Sequence, residues 1–221
     1  MSQPTSTPMR FTLGKARLHG DLCVPPDAAG LVVFVHGSGS SRHSPRNQSV
    51  ARYFNDLGLA TLLFDLLTAD EQPIDEITRR LRFDIPLLSQ RLSGVVDQLG
   101  SQAELRGLRI GLFGASTGAA AALITAASRP ADIAAVVSRG GRVDLAEQSL
   151  ASVAAASLFI VGSRDVEVLE LNRAAAAHLR CEHQLAVVAG ATHLFDEPGT
   201  LEEVARLAGD WFVRHLASRE S

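Results

Sequence analysis

Lysine is almost missing from this chain. There is one, Lys15, against twenty arginines. Any mechanism that needs a lysine in a set motif is therefore excluded, and no phosphate-binding loop ends in Gly-Lys-Ser/Thr. Cysteine is scarce as well. Cys23 and Cys181 are far apart and in no C-x-x-C spacing. Two are too few for a structural zinc site. They read as free thiols of a reducing compartment, with a single disulfide as the alternative. No apolar run is long enough to span a bilayer. "MSQPTSTPMR" lacks the apolar core of a secretion signal, so a cytoplasmic location is expected. A net charge of −3 gives no basic footprint for nucleic acid or an anionic membrane. We expect no metal and no organic cofactor.

What is present fits one domain. A length of 221 residues suffices for a core and is short for two. Residues 1–8 read as a disordered tail and 9–221 as a single domain. "RFTLGKARLHGDLCVP" reads as two short strands around Gly14. Then continuous apolar runs alternate with helical patterns. "GLVVFVHG", "LATLLFDLL", "LRIGLFGA", "IAAVVS", "SLFIVGS" and "HQLAVVAG" are strands buried on both faces. Between them, Ser44-Pro45 and Asp84-Pro86 open helices, and Thr200 with Glu203 forms a capping box for the last one. This alternation predicts an α/β fold, a mainly parallel sheet with helices on both faces.

In such a sheet, functional groups gather where strands end. There stand His36-Gly37-Ser38, Asp65, Ser116, Arg139, Asp165 and His193. Ser116 lies in "GASTG", where a strand turns into a helix. Asp165 follows "FIVGSR" and His193 follows "VVAGAT". The order Ser, Asp, His is one in which nucleophile–acid–base triads occur. A serine hydroxyl is a poor nucleophile at neutral pH and needs a base. An imidazole ordinarily titrates near neutrality and suits that task. A carboxylate fixes its tautomer and stabilises the imidazolium. Gly114 and Gly118 leave room for a sharp turn at Ser116. The oxyanion donors expected are the N–H groups of Thr117 and Ser38, the latter in the small-residue loop "HGSGSS". His36 reads as a residue that orients this loop. A G-x-S-x-G alone is a weak signal; its place among these other residues makes it strong.

These residues resemble a known family. Over residues 10–217, through "VHGSGSSRHSPRN", "GASTG", "VGSRD" and "ATHLF", the chain is similar to α/β-hydrolases of the dienelactone hydrolase-like group. The resemblance implies a compact sheet without a large cap domain and a hydrolase using Ser116, Asp165 and His193. Dienelactone hydrolases proper carry cysteine at the nucleophile position. Serine stands here, which favours a general carboxylic-ester hydrolase over a lactone hydrolase. The family's carboxylate-binding arginines are not mapped onto this chain.

The expectation is a serine hydrolase that cleaves small esters, as a monomer or homodimer. Lactone or thioester hydrolysis would use the same machinery. A hydrolase fold without catalysis, serving as an interaction domain, is a further alternative. A nucleotide-binding module is disfavoured because Arg42 stands where the dinucleotide fingerprint wants a small residue. Arg42 and Arg139 either bind an anionic group of the substrate or pair with carboxylates such as Asp65. Residues 68–83 either cover the site as a small lid or form a solvated connection.

Overall fold

The computed structural model describes residues 5–217. The chain runs β1 (Ser6–Leu13), β2 (Ala16–Cys23), β3 (Leu31–Val35), α1 (Pro45–Asp56), β4 (Ala60–Phe64), α2 (Glu71–Thr78) and α3 (Ile85–Leu99). It continues with β5 (Ile110–Ala115), α4 (Thr117–Ser128), β6 (Ile133–Arg139), α5 (Glu147–Leu150), β7 (Ala156–Gly162), α6 (Val166–Ala176), β8 (His183–Val188) and α7 (Thr200–Leu216). One eight-stranded sheet has the order β1-β2-β4-β3-β5-β6-β7-β8. The β1–β2 hairpin turns at Gly14 and adds to β4 antiparallel. From β4 across to β8 all pairings are parallel. This is the α/β architecture expected.

Every residue of β3 and β4 is buried, because helices cover both faces. On one face, α3 and α4 pack over Leu31, Val33, Leu62 and Leu112. Helix α4, "TGAAAALITAAS", is buried nearly all round, and its small side chains let it lie close to sheet and neighbours. On the other face, α1 and α7 cover Val32, Phe113, Val137 and Ile160. Phe34, Phe54, Phe113 and Phe212 meet there with centroids 5.0 to 5.7 Å apart. The helix starts follow local chemistry. Ser44 Oγ accepts the Asn47 N–H ahead of Pro45, and Asp84 Oδ1 accepts the Leu87 N–H ahead of Pro86.

Two expectations are corrected. The tail to residue 8 is too long, since Ser6–Pro8 already pair with Cys23–Asp21 in β1. β1 is an edge strand, where proline and polar residues are tolerated because one side of the ladder needs no partner. Nor do Thr200 and Glu203 form a capping box. Gly199 takes the cap position at φ 80°, Thr200 Oγ1 donates back to Glu197 O, and Glu203 binds Arg206. A positive-φ cap favours glycine, so the helix begins one residue earlier than a cap at Thr200 would place it.

Helix α7 approaches the sheet through a gap in β5. A Cβ on Gly111 would stand 2.6 Å from Phe212 Cε1. We expect Gly111→Ala to cost about 1–3 kcal/mol by overpacking. Combined with Phe212→Leu, the loss should be smaller than the sum of the single losses. Urea unfolding of the four proteins checks this, and strict additivity would mean that the ring does not set the approach.

Candidate active site

β5 ends at Ala115 and α4 begins at Thr117, leaving Ser116 alone in the turn at φ 49°, ψ −121°. Such a conformation costs a non-glycine residue on the order of 1–3 kcal/mol and persists only when its surroundings enforce it. Here the Ser116 N–H donates to Arg139 O (3.2 Å), and Ser116 O accepts from the N–H groups of Ala119 (3.1 Å) and Arg142 (3.0 Å). The flanking glycines have the steric purpose expected. A Cβ on Gly114 would lie 2.5 Å from Ala119 Cα, and one on Gly118 would collide with the carbonyls of Val35 and His36. At the start of α4 the Thr117 N–H has no intrahelical acceptor.

The loop after β3 lies against this turn, with Gly37 packed on Ala115 O and Ser116 Cβ. His36 fixes it. Its buried Nε2 accepts the Leu66 N–H (3.0 Å), which leaves the proton on Nδ1 to donate to Gly37 O (2.9 Å). Burial pushes the imidazole below its ordinary pKa, an effect that the Gly37 carbonyl and the Asp65 charge only partly offset.

The strands β7 and β8 supply the other half. Asp165 occupies the cap position of α6, yet its side chain makes no capping bond. Its Oδ2 instead accepts His193 Nδ1 at 2.6 Å. The ring of His193 packs on Gly140, and a Cβ there would stand 3.4 Å from its Nδ1. Arg139–Gly140 thus touches both Ser116, through its carbonyl, and His193, through its backbone. Tight approach of Gly162 to Ala191, and the Thr192 N–H to Glu197 (3.1 Å), hold the histidine loop.

A cavity of about 370 Å³ opens beside the turn, lined by Ser38, Gly39, Leu66 and Thr117 and walled by Gln72, Asp75, Glu76, Arg79 and Arg82. The segment 68–83 therefore walls this cavity. Its anchors were not read from the sequence. Arg91 holds Glu71 through two bonds (2.7 and 2.5 Å) and also donates to Leu66 O. Burial raises the Asp75 carboxyl, but Arg82 and the Leu81 and Arg82 N–H groups overcome this and leave it below its ordinary pKa. "TADE" at 68–71 is the local signal, since Thr68 and Glu71 bond reciprocally.

Arg42 is tied to Asp65 by its N–H and guanidinium, and to Asp21 at 3.1 Å. Arg139 reaches Asn47 at 3.4 Å. Among the described residues no group of three or more His, Cys, Asp or Glu is placed to hold a metal ion, and no helix is long and apolar enough to cross a membrane.

The sheet, the strained serine turn and the Asp–His pair at the strand ends define an α/β-hydrolase. The crystal structure of a dienelactone hydrolase from Anabaena variabilis is 49% identical, with 97% of this chain and 100% of that one covered at a TM-score of 0.95. The chain belongs to the dienelactone hydrolase-like family. Est1E from Butyrivibrio proteoclasticus shares the fold at 17% identity, with a TM-score of 0.79 over 94% of this chain and 98% of that one. A Mycobacterium tuberculosis protein named provisionally as a phosphoribosyl transferase is 56% identical over 208 residues, covering 94% of this chain and 46% of that protein. The chain thus spans about half the length of the curated relatives it matches. No protein-family model matches it.

His36 carries a pH signature. Burial places its folded pKa below the value of about 6.5 at which an unfolded histidine titrates. Below that pH the unfolded state binds a proton that the folded state refuses, so stability is lost as pH falls, by up to about 1.4 kcal/mol per unit. Urea unfolding between pH 7.5 and 5 should show a steeper loss in the native protein than in His36→Asn. Equal slopes would assign the loss to other groups.

Proposed function

We propose that the chain is a serine hydrolase that cleaves small carboxylic esters through an acyl-enzyme. The observation that carries this is the 2.6 Å Asp165–His193 bond beside the strained Ser116. With Nδ1–H given to Asp165, the lone pair of His193 Nε2 is free to take the Ser116 proton. Ser116 Oγ then attacks the carbonyl carbon. The N–H groups of Thr117 and Ser38, on the wall of the cavity, receive the negative oxygen. When the tetrahedral intermediate collapses, the C–O bond to the alcohol breaks and His193 returns its proton to the leaving oxygen. Water repeats the sequence on the acyl-enzyme, releasing the acid and restoring Ser116.

Lactones and thioesters could enter the same cycle. The transferase name of the M. tuberculosis relative fits better with the part of that protein that this chain does not span, because the matched part is the hydrolase fold.

Ser116→Ala should abolish ester hydrolysis, on the order of a million-fold in kcat, and abolish labelling by a fluorophosphonate. Asp165→Asn should lose several orders of magnitude and Asp65→Asn far less, since Asp65 is held by Arg42. A label on Ser38 or Ser44, or a larger loss at Asp65, would overturn the assignment. A folded native protein that takes no label and cleaves no ester would point to a non-catalytic interaction domain.

The cavity wall also bears on substrate size. Gln72, Glu76, Arg79 and Arg82 are polar and cannot reward a long alkyl chain, which needs apolar surface to gain about 0.8 kcal/mol per CH₂. Among p-nitrophenyl esters, acyl groups of about two to four carbons should give the highest kcat/KM. A steady climb out to eight carbons would refute this.

A further inference from the structure

Residues 139–142, where β6 ends, touch both halves of the site. Arg139 O accepts the Ser116 N–H at 3.2 Å, and the Arg142 N–H donates to Ser116 O at 3.0 Å. Gly140, at φ 53°, packs on the His193 ring. Gly141 is wedged between β6 and α4, since a Cβ there would collide with Ser138 Oγ and stand 2.6 Å from Ala119 Cβ. The carbonyl of Gly141 is held from a third element, α6. Asn172 Nδ2 donates to it at 2.9 Å, and to Val168 O within the helix at 2.8 Å. Asp165 caps that same helix and gives its carboxylate to His193. Asp165 and Asn172 are seven residues apart, about two helical turns, so they stand on one face of α6.

Asn172 is 0% exposed. Burying an amide is unfavourable unless its hydrogen bonds are made, so an apolar side chain would be the ordinary occupant of this place. The donor end is satisfied twice, whereas Oδ1 has no partner among the described residues. The end of the amide that is used is thus the end that reaches Gly141. A buried hydrogen-bonded tie fixes one arrangement of the elements it joins. Here it joins the helix that carries the acid to the segment that supports the base and the backbone of the nucleophile. The chemistry depends on that register, because a misplacement of about 1 Å can cost on the order of a hundredfold in rate.

We infer that Asn172 is a positioning residue of the hydrolase site: through the Gly141 carbonyl it locks α6 to residues 139–142, and so holds the Asp165–His193 pair in register with Ser116. This rests on the hydrolase reading and adds to it a residue that touches neither substrate nor reacting atoms. Its effect falls on the chemical step, because Asn172 and Gly141 stand outside the cavity wall.

Two variants separate the bonds. Asn172→Leu keeps the branched shape and donates nothing. Asn172→Ser can still bond Val168 O one turn back but is too short to reach Gly141 O, and it covers the case in which Asn172→Leu does not fold. With p-nitrophenyl acetate, each should lower kcat by about ten- to a hundredfold and leave KM within about twofold of native. Labelling of Ser116 by a fluorophosphonate should slow by a similar factor. Gly111→Ala, which loses stability away from the site, is the control and should keep the native kcat. The decisive arm is a double-mutant cycle. A residue that acts through the acid–base pair has little left to act on once Asp165 is gone, so either Asn172 change added to Asp165→Asn should slow labelling by less than about threefold more. A native kcat in the folded variants, a loss in KM alone, an equal loss in Gly111→Ala, or full additivity with Asp165→Asn reduces Asn172 to a core hydrogen bond and overturns the proposal. The hydrolase reading fails separately, when the native protein itself cleaves no ester and takes no label, and the positioning role falls with it.

Discussion

Ser116 is held at a positive φ by crowding. No single bond could keep a non-glycine residue there against a cost of about 1–3 kcal/mol. The cost is met collectively. Gly118 lets α4 come up against the carbonyls of Val35 and His36, and Gly114 lets the end of β5 touch Ala119. Gly37 brings the next loop against Ser116 itself. The ends of β3, β5 and β6 and the start of α4 converge at this turn, and the close approaches at Gly37, Gly114 and Gly118 each need a missing side chain. The alanine-rich α4 belongs to the same constraint. A helix with larger side chains could not sit low enough on the sheet for its first N–H groups to face the site.

This explains which parts of the site were readable from the residues. A constraint met by small residues close in sequence leaves a local signature, and "GASTG" displays it. The buried strands were equally plain, since parallel strands covered on both faces need unbroken apolar runs. The order Ser116, Asp165, His193 carried information because strand ends in such a sheet come together at one edge. What failed to show was anything that depends on pairing across distance. Arg91 meets Glu71 across twenty residues, and Asp75 meets Arg82 around a turn. Neither pair has a periodicity. Whether 68–83 covered the site could therefore not be read, and the helix start that Thr68 and Glu71 form there went unread as well. The cap of α7 misled for a related reason. Thr200 and Glu203 have the right spacing, but Gly199 is the better solution for the positive φ that the chain needs at that point.

The arginine bias acquires a structural meaning here. Arg91, Arg82, Arg42 and Arg142 each bind a carboxylate, and each does so from more than one donor or with a further oxygen. A planar fork suits such ties, because one side chain can hold a carboxylate and a backbone oxygen in fixed directions. Lysine would give a point charge without that geometry. Most arginines near the site are thus committed to holding loops: Arg42 to β2 and the end of β4, Arg91 and Arg82 to the segment over the cavity.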